Sequence, residues 1–210
     1  MDLHNLFERY KLLVKKADHA FLIMKRDYGD FIRCRIHCSD CCHAIFGLFL
    51  IEAAYIKHHF SQLNRNEKRE AILRAERSDK DLLEIEERLK VYENNQRMRV
   101  FALSKERVRC PLLDQNQECI LYPFRPITCR VYGIPTAIHG KGRVCSMAAF
   151  KKGETYPTFD MDATYRELYH LSNELLMQTG CEDMNVASLL ISVSKAIRMP
   201  MEDIIRGNLE

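Results

Sequence analysis

Hydrophobic positions recur along this chain at helical spacing, interrupted once by a long stretch with no period. Leu3, Phe7, Tyr10, Val14, Ala17, Phe21 and Met24 follow alternating steps of four and three. That spacing predicts a helix over 2–27 with one apolar stripe, and Gly29 near Asp30 is a stop signal. The run over 44–60 is apolar almost all round and predicts a buried helix. Residues 64–95 are charged but keep a thin stripe of Ile72, Ala75, Leu82, Leu89 and Tyr92. Glu70–Arg74 and Glu84–Arg88 add favourable pairs four residues apart. The prediction there is an exposed helix, or a helical hairpin broken near Ser78–Asp79, with a solvated face as the plain reading of its charges. A shorter helix is expected over 96–107. Tyr165, Leu168, Leu171 and Leu175 mark another, ending near Gly180. Val186–Arg198 predicts a further helix with Asn185 as its N-cap, and Pro200 opens a last turn closed by Gly207.

Between 109 and 157 the period is lost. Most of the prolines and half of the glycines fall there, so loops and short extended pieces are expected. Such a stretch closes a core poorly without an added staple. The expected fold is mainly α: one domain over 1–210, with helices flanking an irregular Cys-rich centre at 34–149 and few or no short strands. Residues 64–95 form a charged helical arm, and 158–210 hold the C-terminal helices.

Composition changes the picture only through cysteine. The 210 residues carry 32 basic and 29 acidic side chains, a formal net charge of +3. That balance leaves no electrostatic footprint for nucleic acid. The longest apolar stretch, Ala44–Ile51 with Ala53–Ile56, is too short to span a bilayer, and the N-terminal residues lack the apolar core of a secretory signal. A cytoplasmic protein is the expectation. Nine cysteines in a reducing compartment point to metal binding rather than disulfides.

The cysteines fall into two sets. Cys34, Cys38, Cys41 and Cys42 lie within nine positions, and a C-x2-C step lets two sulfurs share one metal. Neighbouring side chains in extended backbone point to opposite sides, so Cys41 and Cys42 could face different centres. Cys110, Cys119, Cys129 and Cys145 are spaced by nine, ten and sixteen residues, without finger-like pairs. Together they make eight candidate thiolates, enough for two four-Cys sites or for one with supporting thiols. Cys181 stands apart as a free thiol. His58–His59 reads as an interaction at a helix end. Glu52, a carboxylate inside an apolar run, must pair or face a polar site, with Arg125 or Arg130 as possible partners.

The segments Cys38-Ser-Asp-Cys41-Cys42, Cys110-Pro-Leu-Leu and Cys119-Ile-Leu-Tyr122-Pro-Phe-Arg125-Pro-Ile-Thr-Cys129-Arg130, followed by Cys145, resemble the YkgJ family of cysteine-cluster proteins. Members of that family are also described by a CxxCxxCC, zinc- or iron-chelating domain. The resemblance covers about 34–149, and the block Cys119–Arg130 is its most specific part. The opening departs from the family pattern: three residues, not two, separate Cys34 from Cys38, so His37 or His43 could stand in for Cys34.

The resemblance implies metal binding through the eight thiolates. Tyr122, Arg125 and Arg130 lie close enough in sequence to hydrogen-bond sulfur or offset its charge. Both a 4Fe–4S cluster and zinc accept four thiolates. Cysteine density and the nearby cations favour the cluster. Three functions follow as expectations. The first is a redox or metal-handling protein. The second is a zinc-stapled interaction module that recruits a protein partner through 64–95. The third is a protein-modifying enzyme or accessory subunit, since a flagellin lysine N-methylase shares this domain type. No glycine-rich methyltransferase loop, P-loop or HExxH motif is present.

Overall fold

The computed structural model describes residues 2–35, 37–181 and 183–209. Among them eight α-helices and one small sheet are found, a mainly α architecture. No helix among them is long and apolar enough to cross a membrane.

Helix α1 (Leu3–Tyr28) buries Leu6, Phe7, Tyr10, Leu13, Ala17 and Met24, the face its spacing predicts. It ends without a left-handed glycine: Gly29 stays right-handed, and the chain tightens into a 3₁₀ turn at Gly29–Phe31. Helix α2 (Leu50–Ser61) lies at the centre, against α1, α6 (Met161–Gln178), α7 (Val193–Arg198) and α8 (Met201–Arg206). Eight of its twelve residues are buried, including Glu52. Helix α3 (Arg65–Leu89) is one unbroken rod opened by a capping box between Asn64 and Glu67. It packs on α7, and α4 (Gln96–Leu103) follows after a 3₁₀ turn.

Two predicted helices are shorter than their apolar runs. Residues 44–49 are extended, because Leu48 exchanges both backbone hydrogen bonds with Ile191 (2.8 and 3.1 Å). Gly47 permits this approach: a Cβ there would lie 2.4 Å from Leu190 Cβ. The same pairing splits Val186–Arg198. A 3₁₀ turn at Met184–Ser188 precedes the bridge, and α7 (Val193–Arg198) follows it, capped by Ser192 rather than Asn185.

The irregular stretch contains α5 (Ile127–Val131), β1 (Thr136–Ile138) and β2 (Lys141–Arg143). The β1–β2 turn places His139 and Gly140 at positive φ, as a two-residue hairpin loop with matching twist requires. β3 (Phe159–Asp160) pairs parallel to β1 and leads into α6 (Met161–Gln178). Helix α8 (Met201–Arg206) closes the chain with Gly207 left-handed. One main core unites α1, α2, α6, α7 and α8 with Leu112, Leu121, Ile127, Val131 and Ile134 from the irregular stretch. A small satellite of Ile85, Leu89 and Val108 lies under the far half of α3.

Candidate metal centre

Backbone pairing brings the two cysteine sets together. The amide of Cys110 donates to the carbonyl of Cys42 (2.7 Å), and that of Val108 to His43 (3.1 Å). The segment after Cys110 then folds back on itself. Leu113 bridges Cys119, and Ile120 donates to the Leu112 carbonyl. This hairpin sets Cys110 beside Cys119. Helix α3 holds it from outside: Ser78 Oγ donates to the Arg109 carbonyl (2.6 Å) and Arg74 Nε to the Pro111 carbonyl (2.8 Å). The charged helix therefore positions a cysteine segment and is not merely a solvated arm. The signal for this was Ser78, a small polar residue on the buried side of the rod.

Cys129 arrives on α5, whose ends are pinned to the helical frame. Glu52, 2% exposed, accepts the Ile127 amide (3.1 Å) at the start of α5 and faces the Tyr10 hydroxyl at 3.5 Å. Burial raises its pKa to about 7. Arg130, 6% exposed, grips Asp18 of α1 with two bonds (2.8 and 3.0 Å). It also donates to the carbonyls of Pro123 (2.6 Å) and Arg125 (2.9 Å). The sequence leaves Glu52 to meet an arginine or solvent, and Arg130 to donate to sulfur or offset its charge. Instead Arg130 has its donors committed to Asp18 and two carbonyls, and Glu52 serves the backbone of α5. Phe124 lies flat on His59, ring centroids 3.5 Å apart, which anchors the turn before α5.

Five thiols meet where these segments converge: Cys41, Cys42, Cys110, Cys119 and Cys129 perturb one another's ionisation. The S–H groups of Cys129 and Cys42 favour the thiolate of Cys41 and pull its pKa down, while both donors are pushed up. Burial lifts Cys110 to about 12 and Cys119 to about 11. Backbone amides oppose this shift. The amides of Leu112 and Leu113 do so at Cys110, and that of Leu121 at Cys119. Amides aimed at sulfur are the support a metal-bound thiolate needs. Arg125 supplies charge: its guanidinium lies 3.9 Å over the Tyr122 ring and favours the thiolates of Cys41, Cys119 and Cys34. Tyr122 itself is 62% exposed, the stacking surface beneath Arg125.

The other cysteines stand outside this group. Cys34 lies by Cys38, next to Cys41, and burial lifts it to about 11. Its sulfur rests on Gly133, 2.2 Å from where a Cβ would be. Cys145 donates to Asp40 Oδ2 (3.0 Å) instead of joining the five, and burial raises it to about 12. Cys181 is distant, its thiol near the Asp183 carbonyl. His43 Nδ1 meets the Ser39 carbonyl (2.9 Å), and His37 faces Glu118 at 3.7 Å. All nine cysteines are free.

Among the described residues, no three His, Cys, Asp or Glu side chains already stand closed around a point where a metal ion could sit. The thiols are gathered but largely protonated, and ligation requires those protons to leave. The donor set fits a thiophilic metal: soft sulfur, amide support and one nearby cation, with the buried carboxylate of Glu52 turned elsewhere.

No curated protein and no solved structure matches the chain. A family model does, over residues 33–146, which is more than half of the sequence and spans the eight cysteines that converge or flank the convergence. The chain belongs to the CxxCxxCC family, described as a "putative zinc- or iron-chelating domain".

Proposed function

We propose that Cys41, Cys42, Cys110, Cys119 and Cys129 supply the ligands of a 4Fe–4S cluster, used for electron transfer, redox sensing or metal handling in a reducing compartment. One observation carries the reading: five thiols from three separated segments lie in mutual range, and backbone amides favour the ionised form of two of them. Four would suffice for a cubane cluster. A fifth thiol and the cation of Arg125 suit a centre of high negative charge better than a simple zinc knuckle. When bound, the group supplies one-electron chemistry. The chain's own part is to collect the thiols, hold Cys129 on α5, and keep the charge of Arg125 close.

A second reading is a zinc-stapled interaction module. Helix α4 favours it, because this helix has no buried residue and exposes Met98, Val100 and Phe101. Purification without oxygen, followed by metal and sulfide analysis, separates the two. The cluster predicts iron and inorganic sulfide in equal amounts and a visible absorption that bleaches on reduction. Stoichiometric zinc without sulfide overturns the cluster reading.

A further inference from the structure

Beside the thiol centre lies a cleft of about 1030 Å³, and its walls are cationic. Arg33 and Arg35 flank Cys34 on one side, Arg107 stands on another, and His37 and His43 also line it. Arg107 is fixed by the strand-like pairing of 107 with Ala44, directly after the cysteine cluster. None of the three arginines has a carboxylate within ion-pair distance among the described residues, although ion pairs engage many other arginines of this chain. Among the described residues Asp40 is the one carboxylate of the lining, and Glu118 stands 3.7 Å from the lining His37, so the three arginines outnumber the acids around them. Asp40 already accepts from the Cys145 thiol. Arg125, not these three, is the cation that reaches the thiols of Cys34, Cys41 and Cys119.

Unpaired arginines gathered on one concave surface are a recognition device for planar anions, since each guanidinium offers a fork of donors that matches carboxylate or phosphate. The cleft volume is at the upper end of small-molecule sites, too large for a bare inorganic ion, and Ile32 and Met147 give it apolar walls. We propose that this cleft binds a small organic polyanion, one carrying two or more carboxylate charges or a phosphate ester, against Arg33, Arg35 and Arg107. The ligand then lies beside Cys34 and Cys38, which form part of the same lining. The site does not depend on which metal the five thiols hold.

Isothermal titration of the full chain, purified with its native metal content, tests this at low chloride. Tricarballylate probes the carboxylate arm and glycerol 2-phosphate the phosphate arm. Saturable binding of either probe is expected, and the tighter one identifies the anion class. Arg35→Ala with Arg107→Ala should weaken it tenfold or more. Lys141→Ala with Arg143→Ala, which removes two exposed cations from outside the cleft, should leave it unchanged. Equal heat-denaturation midpoints for the two double variants would show that the loss is local. Binding of neither probe at millimolar concentration, or equal loss in both double variants, overturns the proposal. The metal content of the same preparations reads the centre separately.

Discussion

The helical frame and the thiol centre are built in opposite ways. The frame rests on repetition: α1, α2 and α6 each bury a face of many similar apolar side chains. The centre rests on single residues with single duties. Arg130 joins α1 to two loop carbonyls, Glu52 caps the amide of Ile127, and Ser78 holds the carbonyl before Cys110. Removing one apolar side chain from the frame thins a crowd, whereas removing one polar group from the centre leaves a buried partner unsatisfied.

The largest expected effect separates the two regions outright. Cys129→Ala and Cys41→Ala should each abolish bound metal, read by metal analysis. They should open 109–134 to proteolysis while far-ultraviolet circular dichroism keeps most of its helical signal. Retention of full metal by both variants would assign the ligands elsewhere. Arg130→Ala comes next. It strips the half-exposed Asp18 and two carbonyls of their donor and should cost roughly 1–3 kcal/mol in denaturant unfolding. Arg130→Lys should not restore it, because one ammonium cannot reach three separate acceptors.

Glu52 gives the third. Its folded pKa of about 7 lies above the ordinary 4.5, so the folded state keeps a proton the unfolded chain has released. Stability from this group is therefore full below about pH 4.5 and falls as pH rises to about 7, by on the order of 3 kcal/mol. Unfolding of Glu52→Gln should lack that slope. A slope unchanged by the substitution would assign it to another group. The smallest effect lies in the frame. Asn64→Ala removes the capping box of α3 and should cost about 1 kcal/mol with no change in metal content. A loss of metal in that variant would show that the two regions are less separable than their construction suggests.

The frame was legible in the sequence wherever a period ran long enough. The stripe from Leu3 to Met24 and the all-round apolar α2 both lie where the pattern places them. The errors share one cause. Leu48 and Ile191 each sit inside an apolar run that reads as helix, yet their backbones pair with each other across the chain. No local pattern announces a long-range bridge. At the centre, cysteine identity and the Cys119–Arg130 block pointed to the family. The division of labour was not legible. Arg125 and Arg130 are alike on paper, and only the fold turns one toward sulfur and the other toward Asp18. Cys145 likewise is a candidate ligand by its place in the motif, and only the fold shows its thiol against Asp40.

Gly133 shows how little mass separates a working arrangement from a blocked one. The sulfur of Cys34 occupies the space that any side chain at this position would claim. A single methyl group there would evict the thiol from the wall of the cationic cleft, where it lies beside Cys38 and Cys41. Position 133 thus offers a one-carbon lever on the place of Cys34.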